Sequence, residues 1–303
     1  RREASMPKAP IAAARIRPRR GKRLYLNRSR GGNIAVDIFL VLMGCFMALP
    51  MVYAICQSLK PLDELWMFPP RFFVRNPTLK NFSDLFTLMS DSWVPFSRYL
   101  FNTVLIATVG TGGHLIISSL CAYALAKHRF PGRNLMFQMV VLSLMFSSAV
   151  TGIPNFMILS TLRLIDTQWA LILPAFCSSL GLYLMKQFIE QMVPDALLES
   201  ARLDGSNEWH TFWHIVMPIV KPAWLTLIIF SFQGLWNSGS NILIQSEQLK
   251  TLNYALTQIV NGGIARAGSA AASAVIMMIV PVTIFVLTQS NIVETIATSG
   301  MKD

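Results

Sequence analysis

His210 and His214 stand four residues apart, the spacing that puts two imidazoles on one face of a helix where they could hold a metal ion. The glutamate of a His-Glu-x-x-His zinc motif is missing between them, and His114 and His128 add no metal-like spacing. Cys45, Cys56, Cys121 and Cys177 sit inside apolar runs and read as buried small hydrophobes, so no metal site is expected. No cluster of paired acids and no Ser–His or Ser–Lys dyad emerges to support a membrane-integral enzyme. The phosphate-cradling pattern Gly-x-x-x-x-Gly-Lys-Ser/Thr is also missing, so the chain is not expected to hydrolyse ATP. What remains is the polar stretch 199–222, ESARLDGSNEWHTFWHIVMPIVKP, lying between uncharged runs long enough to cross a bilayer. Its chemistry is that of a docking surface rather than of a reaction centre.

The local signals in 194–222 predict two short helices meeting at an angle. Pro194 suits the first turn of a helix, and Asp195 complements the positive end of its dipole. Gly205 breaks that helix, as a glycine in the left-handed conformation just past a helix end does. Ser206 is the expected N-cap of the second helix, with Glu208 in its first turn. Trp209, Phe212, Trp213, Ile215 and Val216 give this helix an apolar side, and Pro218 and Pro222 end or redirect it.

The elements around this elbow are those of a membrane protein. The chain has 303 residues, 53% hydrophobic and 14% charged, against about 25% charged in ordinary soluble domains. Eleven Lys and Arg lie in residues 1–30 against the single acid Glu3, which supplies nearly all of the net charge of +11. This arm reads as a cytoplasmic flank of the first span rather than a nucleic-acid surface or a secretory signal.

Six segments meet the length of about 20 apolar residues that a spanning helix needs: 34–58, 99–126, 135–162, 168–188, 223–243 and 270–293. With the N-terminus inside, the inner segments hold eighteen Lys and Arg and the outer segments eight, so both termini and the elbow are assigned to the cytoplasm. The expected organisation is an arm at 1–33, a transmembrane domain at 34–293 and a cytoplasmic tail at 294–303. Within that domain, 60–98 and 244–269 are outer loops and 194–222 is the elbow. The first loop, rich in proline and aromatics, predicts a compact cap with a short helix or two. The second ends in Asn261–Gly268, read as a mobile loop because of its glycines.

Inside the spans, Ser118, Ala122 and Ala126 repeat at four-residue spacing, as do Ala270 and Ala274, which lets helix backbones approach closely. Pro50, Pro154, Pro174 and Pro281 invite kinks. No Asp, Glu, Lys or Arg lies near the centre of any span, whereas ion-coupled carriers keep such groups there. The driving energy is therefore expected from outside the chain.

The pattern Glu199-x-Ala201-x-x-Asp204-Gly205, followed by Phe212, Ile215, Pro218 and Pro222, resembles the EAA loop of permease subunits of binding-protein-dependent ABC importers. Within these it is most similar to carbohydrate importers of the maltose-transporter type and their smaller permease. The tail Thr298–Lys302 is similar to the short tails of that group, whereas Ser200 and Met217 depart from the usual alanine and leucine. The resemblance implies an all-α type I importer permease fold of six transmembrane helices in the bacterial cytoplasmic membrane.

It implies an ATPase-docking role for Glu199, Ser200, Ala201, Asp204 and Gly205, with Ile215 and Pro218 anchoring the elbow to the bundle. It also implies a second permease chain, a cytoplasmic ATPase dimer carrying ATP and Mg, and an extracytoplasmic solute-binding protein. The contacts expected for that binding protein are Asn261, Gly262, Gly263 and Arg266. Candidates for the sugar pathway are Gln138, Asn155, Gln233, Trp236 and Asn237, since sugars are held by amides and stacked aromatics; each of these could instead bond helix to helix. A non-sugar solute such as a peptide or polyamine is the alternative within transport, and a passive channel lies outside it.

Overall fold

Long runs without charge leave the backbone only its own carbonyls to bond, and in apolar surroundings the helix meets that demand within one segment. The computed structural model describes residues 30–90, 93–239, 242–263 and 266–299, all strands being absent among them. Expectations for the arm at 1–29 and the tail at 300–303 lie outside these residues. Packing divides the chain into two units at Pro50.

The first helix, α1 (Arg30–Leu59), contains Pro50 and no charge between Ile38 and Cys56. Two short helices follow it, α2 (Leu62–Leu65) and α3 (Lys80–Ser90). Buried polar groups tie them down: the Asn81 amide donates to the carbonyls of Ser58 at 2.8 Å and Lys60 at 2.7 Å. The Glu64 carboxylate accepts from the Arg75 N–H at 2.9 Å.

The axis of the larger unit is α4 (Phe96–Lys127), 32 residues long. Its small residues Ser118, Ala122 and Ala126 are buried, as the four-residue spacing predicts for close helix packing. The third expected span is not one helix but two, α5 (Arg133–Ser143) and α6 (Ser148–Thr161). The Ser143 hydroxyl bonds back to the Val140 carbonyl at 2.6 Å, and Ser147 is extended (φ −73°, ψ 153°) where α6 begins. Serine offers the backbone such local alternatives to the helix, which apolar content alone does not reveal.

The fourth expected span is likewise interrupted, into α7 (Trp169–Phe176) and α8 (Ser179–Met192). Pro174 removes the donor for the Ala170 carbonyl, the helix ends two residues later, and Ser178 is extended (φ −67°, ψ 113°).

The elbow contains α9 (Asp195–Leu203), α10 (Glu208–Thr211), a π turn over Phe212–Val216 and α11 (Met217–Ile219). Then α12 (Lys221–Trp236) leaves at 81° to Glu208–Ile219. It stops at Trp236 rather than continuing to Leu243, because Asn237 caps it and Gly239 lies just beyond.

A 3-10 turn at Glu247–Leu249 and α13 (Leu252–Val260) lie within the stretch expected as the second outer loop. The last helix, α14 (Ala267–Ser299), begins earlier and ends later than expected. Gly268 therefore belongs to a helix rather than a mobile loop, and a Cβ there would lie 2.2 Å from Asn81 Oδ1.

Four segments are long and apolar enough to cross a bilayer: Gly31–Leu59, Phe96–Lys127, Trp169–Met192 and Ala267–Gln289. The bent pair ending in α12 makes a fifth among the described residues. At 11 and 14 residues, α5 and α6 are each too short for one crossing.

Candidate functional site

The elbow is built from its turn outward. Gly205 has φ +80°, the left-handed conformation that glycine adopts without steric penalty. Around it the Ser206 N–H bonds the Ala201 carbonyl at 3.0 Å and the Gly205 N–H bonds the Arg202 carbonyl at 3.1 Å. That pair of bonds is a Schellman closure, and it satisfies two of the last carbonyls of α9. The N-cap of α10 is Asn207, not Ser206: the Asn207 side chain accepts from the His210 N–H at 2.7 Å. With the chain turning one residue later, the Ser206 hydroxyl pairs instead with Thr211 Oγ1 at 2.9 Å. The π turn follows where Pro218 would press its ring on the His214 carbonyl of a regular helix, and the Met217 N–H bonds the Phe212 carbonyl across the wider loop.

The face of the elbow turned to the bundle is apolar. Leu198, Ala201, Phe212, Val216 and Met217 are buried with Ala122 and Tyr123 of α4 and Met185 and Ile189 of α8. Polar bonds fix its angle. Glu208 accepts from the Tyr123 hydroxyl at 2.8 Å and from Arg202 Nε at 3.2 Å, while His128 Nε2 lies 3.6 Å from it. The Lys127 ammonium donates to Asp195 at 2.7 Å and to the Val193 carbonyl at 2.6 Å. That bond and charge hold the Asp195 carboxyl below the usual aspartate range.

The opposite face is open. Glu199, Ser200, Asp204 and Gly205 are exposed, whereas Ala201 is buried as part of the anchoring face. Ile215 is half-buried and Pro218 exposed. Leu203 and Trp209 are largely exposed beside the turn, at 89% and 64%. A shallow depression between α9 and α10 is lined by Ala201, Asp204, Gly205, Asn207, His210 and Ile215. The His210 and His214 rings stack at 4.1 Å on the exposed side. Sequence reading missed Tyr123, Arg202 and Lys127 as the groups that hold the elbow; the signal for Arg202 was its place six residues before Glu208, across the glycine turn, and Tyr123 and Lys127 gave none.

The pathway candidates are spread over three helices. Gln138 is exposed on α5 and Asn155 half-buried on α6. Gln233 is exposed on α12 beside Pro281 and Phe285 of α14. Trp236 is buried, and its indole N–H donates to the Met277 carbonyl of α14 at 3.1 Å, the helix-to-helix use of the side chain. The Asn237 amide donates within its own helix to the Gln233 carbonyl at 2.9 Å. Asn261, Gly262, Gly263 and Arg266 are exposed between α13 and α14, with Gly263 at φ +82°.

Residues 114–296 match the family described as the binding-protein-dependent transport system inner membrane component. UgpE of Yersinia enterocolitica, an sn-glycerol-3-phosphate transport system permease protein, is 31% identical over 70% of this chain and 75% of its own. AraQ of Bacillus subtilis, an arabinooligosaccharides transport system permease protein, is 29% identical over 75% of this chain and 81% of its own. A bacterial ABC transporter involved in the import of the acidic polysaccharide alginate has a chain of the same fold, with a TM-score of 0.72, 21% identity and coverage of 88% and 99%.

The chain therefore belongs to the family of inner-membrane components of binding-protein-dependent transport systems. It is a permease subunit of an ABC importer.

Proposed function

We propose that this permease works with a second permease chain, an ATPase pair and an extracytoplasmic binding protein to import a sugar or oligosaccharide. The observation that carries the reading is the stiff elbow: a turn fixed by Gly205, clamped to α4 through Glu208, and leading into α12 at 81°. Such a lever passes a rigid-body push on α9 to the spans, where a floppy loop would absorb it. One ATPase of the pair, supplying ATP and Mg, would grip the elbow through the exposed Glu199, Ser200, Asp204 and Gly205, with Ala201 buried and Ile215 half-buried behind them and Pro218 exposed rather than anchored.

In this reading the chain crosses the membrane six times with both termini in the cytoplasm. The third crossing is the broken pair α5 and α6, and the basic flanks of the inner segments support the orientation. The arm at 1–33 and the tail at 294–303 then lie inside, and 244–269 faces the binding protein through Asn261 to Arg266. The polyhydroxylated solutes in the names of UgpE and AraQ support a sugar over a peptide or polyamine.

Gly205→Pro tests the lever, since proline cannot adopt a positive φ. Co-purification of the ATPase with the chain is expected to fall at least tenfold, and unchanged co-purification with unchanged uptake refutes the docking role. A solute series over the ATPase rate of the purified complex tests the sugar. Stimulation by amino-acid derivatives alone refutes that part.

A further inference from the structure

Residues 60–77 form a closed loop at the Leu59 end of α1. Its base is a hydrogen bond from the Thr78 N–H to the Leu59 carbonyl at 2.9 Å, reinforced by the Asn81 amide on the Ser58 and Lys60 carbonyls. Within the loop the buried Lys60 ammonium donates to the Arg71 carbonyl and lies 5.7 Å from the centroid of the Tyr53 ring. Phe72 packs on the same tyrosine with ring centroids 5.4 Å apart, and Phe73 meets Phe72 edge-on at 5.1 Å. The loop thus folds back along α1 instead of rising from it.

Tyr53 fixes how far back the loop reaches. It lies six residues before Leu59, about 9 Å at 1.5 Å per residue, and helix side chains lean further toward the N-terminus. By the same rise the uncharged run Ile38–Cys56 is about 28 Å long, the thickness of the hydrocarbon core of a bilayer. Tyr53 therefore stands about one turn inside the edge of that core. Phe72 lies beside it, at the level where lipid headgroups begin.

The tip of the loop carries large apolar side chains that the chain leaves uncovered. Trp66 is 54% exposed, Phe73 70% and Phe68 93%. Arg71 and Arg75 are exposed on the same loop, and neither guanidinium pairs with a carboxylate among the described residues. Glu64 is taken up by the N–H groups of Arg75 and Asn76, at 2.9 and 3.4 Å, which leaves Asp63 as the exposed acid of the loop.

This combination selects lipid over protein. Aromatic rings flanked by arginines suit a membrane–water interface, where the rings sit among headgroups and a guanidinium can fork onto a phosphate. Helix-to-helix contacts within a membrane use small residues instead. A water-soluble partner would meet a loop that stands above α1, not one folded back to the level of Tyr53. Residues 66–73 contain no helix or strand, so their backbone needs polar company and belongs at the headgroup layer rather than deep in hydrocarbon.

We infer that the tip 66–73 is a membrane anchor, with Trp66, Phe68 and Phe73 seated in the interface of the outer leaflet and Arg71 and Arg75 on phospholipid phosphates. The inference rests on the six-crossing reading above, which puts this end of α1 outside. The anchor sets the depth of the loop and, through Asn81, that of α3.

The test uses the assembled complex in native membranes, with Phe68 or Phe73 replaced by the photo-crosslinker p-benzoylphenylalanine. The same replacement at Phe46, exposed within the α1 span, gives the reference yield for lipid contact. Illumination is expected to add the mass of one phospholipid at either position, within about threefold of the Phe46 yield. Arg71→Gln combined with Arg75→Gln is expected to lower the lipid adduct at position 68 by about twofold or more. An adduct yield unmoved by that pair overturns the phosphate contact. Adducts with the second permease or the binding protein in place of lipid overturn the anchor, as does the absence of any adduct at both positions while Phe46 reacts.

Orientation is read separately. Ser83 is exposed on α3, and Ser83→Cys is expected to react with a membrane-impermeant maleimide in intact spheroplasts, above the level of the unaltered chain. Reaction only after lysis refutes the six-crossing orientation, and the outer leaflet with it, even where the lipid adduct forms.

Discussion

The two ends of α4 share a tyrosine–carboxylate bond and differ in the bonds around it. At the elbow end the bonds run between ionisable side chains: Tyr123 and Arg202 to Glu208, Lys127 to Asp195. At the opposite end Tyr99 likewise donates to the Glu247 carboxylate at 2.9 Å, and beside it neutral groups of α4 hold backbone. Asn102 donates to the carbonyls of Gln248 at 2.8 Å and Lys250 at 3.0 Å and accepts from Gln168 at 2.8 Å, while Thr103 accepts from the Leu252 N–H at 2.8 Å. Asp166 adds a carboxylate there, accepting from the Gln245 and Ser246 N–H groups and from the Ser246 hydroxyl. Bonds from buried neutral side chains to backbone fix one geometry. Exposed ion pairs are individually weaker, and a part that must change its angle under load is expected to use them.

The contrast is sharpest at Asn102, whose side chain is fully buried and makes three bonds. Asn102→Ala leaves the Lys250 carbonyl and the Gln168 amide without their partner, while the Gln248 carbonyl keeps Arg98 Nε at 3.3 Å. The cost is expected at about 2–4 kcal/mol, taking 1–3 for each group stranded and allowing for water entry. Thermal unfolding of the purified complex measures it, and hydrogen exchange should rise at 247–260 and not at 195–216. A loss smaller than that of Glu208→Ala would invert the comparison.

Glu208→Ala comes next. It removes the acceptor of a Tyr123 hydroxyl whose ring is buried against Phe212, 5.5 Å away, and frees Arg202. About 1–2 kcal/mol is expected, lower than for Asn102 because the carboxylate is half exposed. The readout that separates a hinge from a strut is uptake per ATP hydrolysed: a loosened elbow wastes turnover, so this ratio is expected to fall while the ATPase still co-purifies.

How much of this was legible in the residues follows the range of the forces involved. The glycine turn was readable because φ +80° is a local demand that the residue type announces. The shift of the N-cap from Ser206 to Asn207 was not, because both residues cap well and the choice depends on Thr211 taking up the serine hydroxyl. Apolar content marked 168–188 as a span, which Trp169–Met192 matches, and marked 135–162 as one span where two shorter helices stand. It missed their breaks at Ser147 and Ser178, since average hydropathy is blind to a single serine, which at Ser178 follows a turn weakened by Pro174.

The smallest expected effect lies at Asp195, where pH tests the comparison without a mutation. Lys127 holds the Asp195 carboxyl below its ordinary value, so folding stabilises the ionised form. The stabilisation is complete above the unfolded value of about 3.9 and is lost as pH falls through the lower folded value. Asp166 is depressed too, first by the Ser246 hydroxyl and then by the Ser246 N–H, so both ends respond in the same direction. They differ in what remains once the carboxylates are protonated. At the far end Asn102 and Thr103 keep their bonds, whereas at the elbow the pair at Lys127 becomes a single bond to the Val193 carbonyl. Hydrogen exchange at 195–203 is therefore expected to stay flat from pH 7 to about 4.5 and rise below pH 4, before that of 252–260. Asp195→Asn should reproduce part of that rise at pH 7, by under about 1 kcal/mol given an exposed carboxylate. Equal acceleration of the two segments would mean that the neutral bonds confer no advantage and that both ends of α4 yield to acid alike.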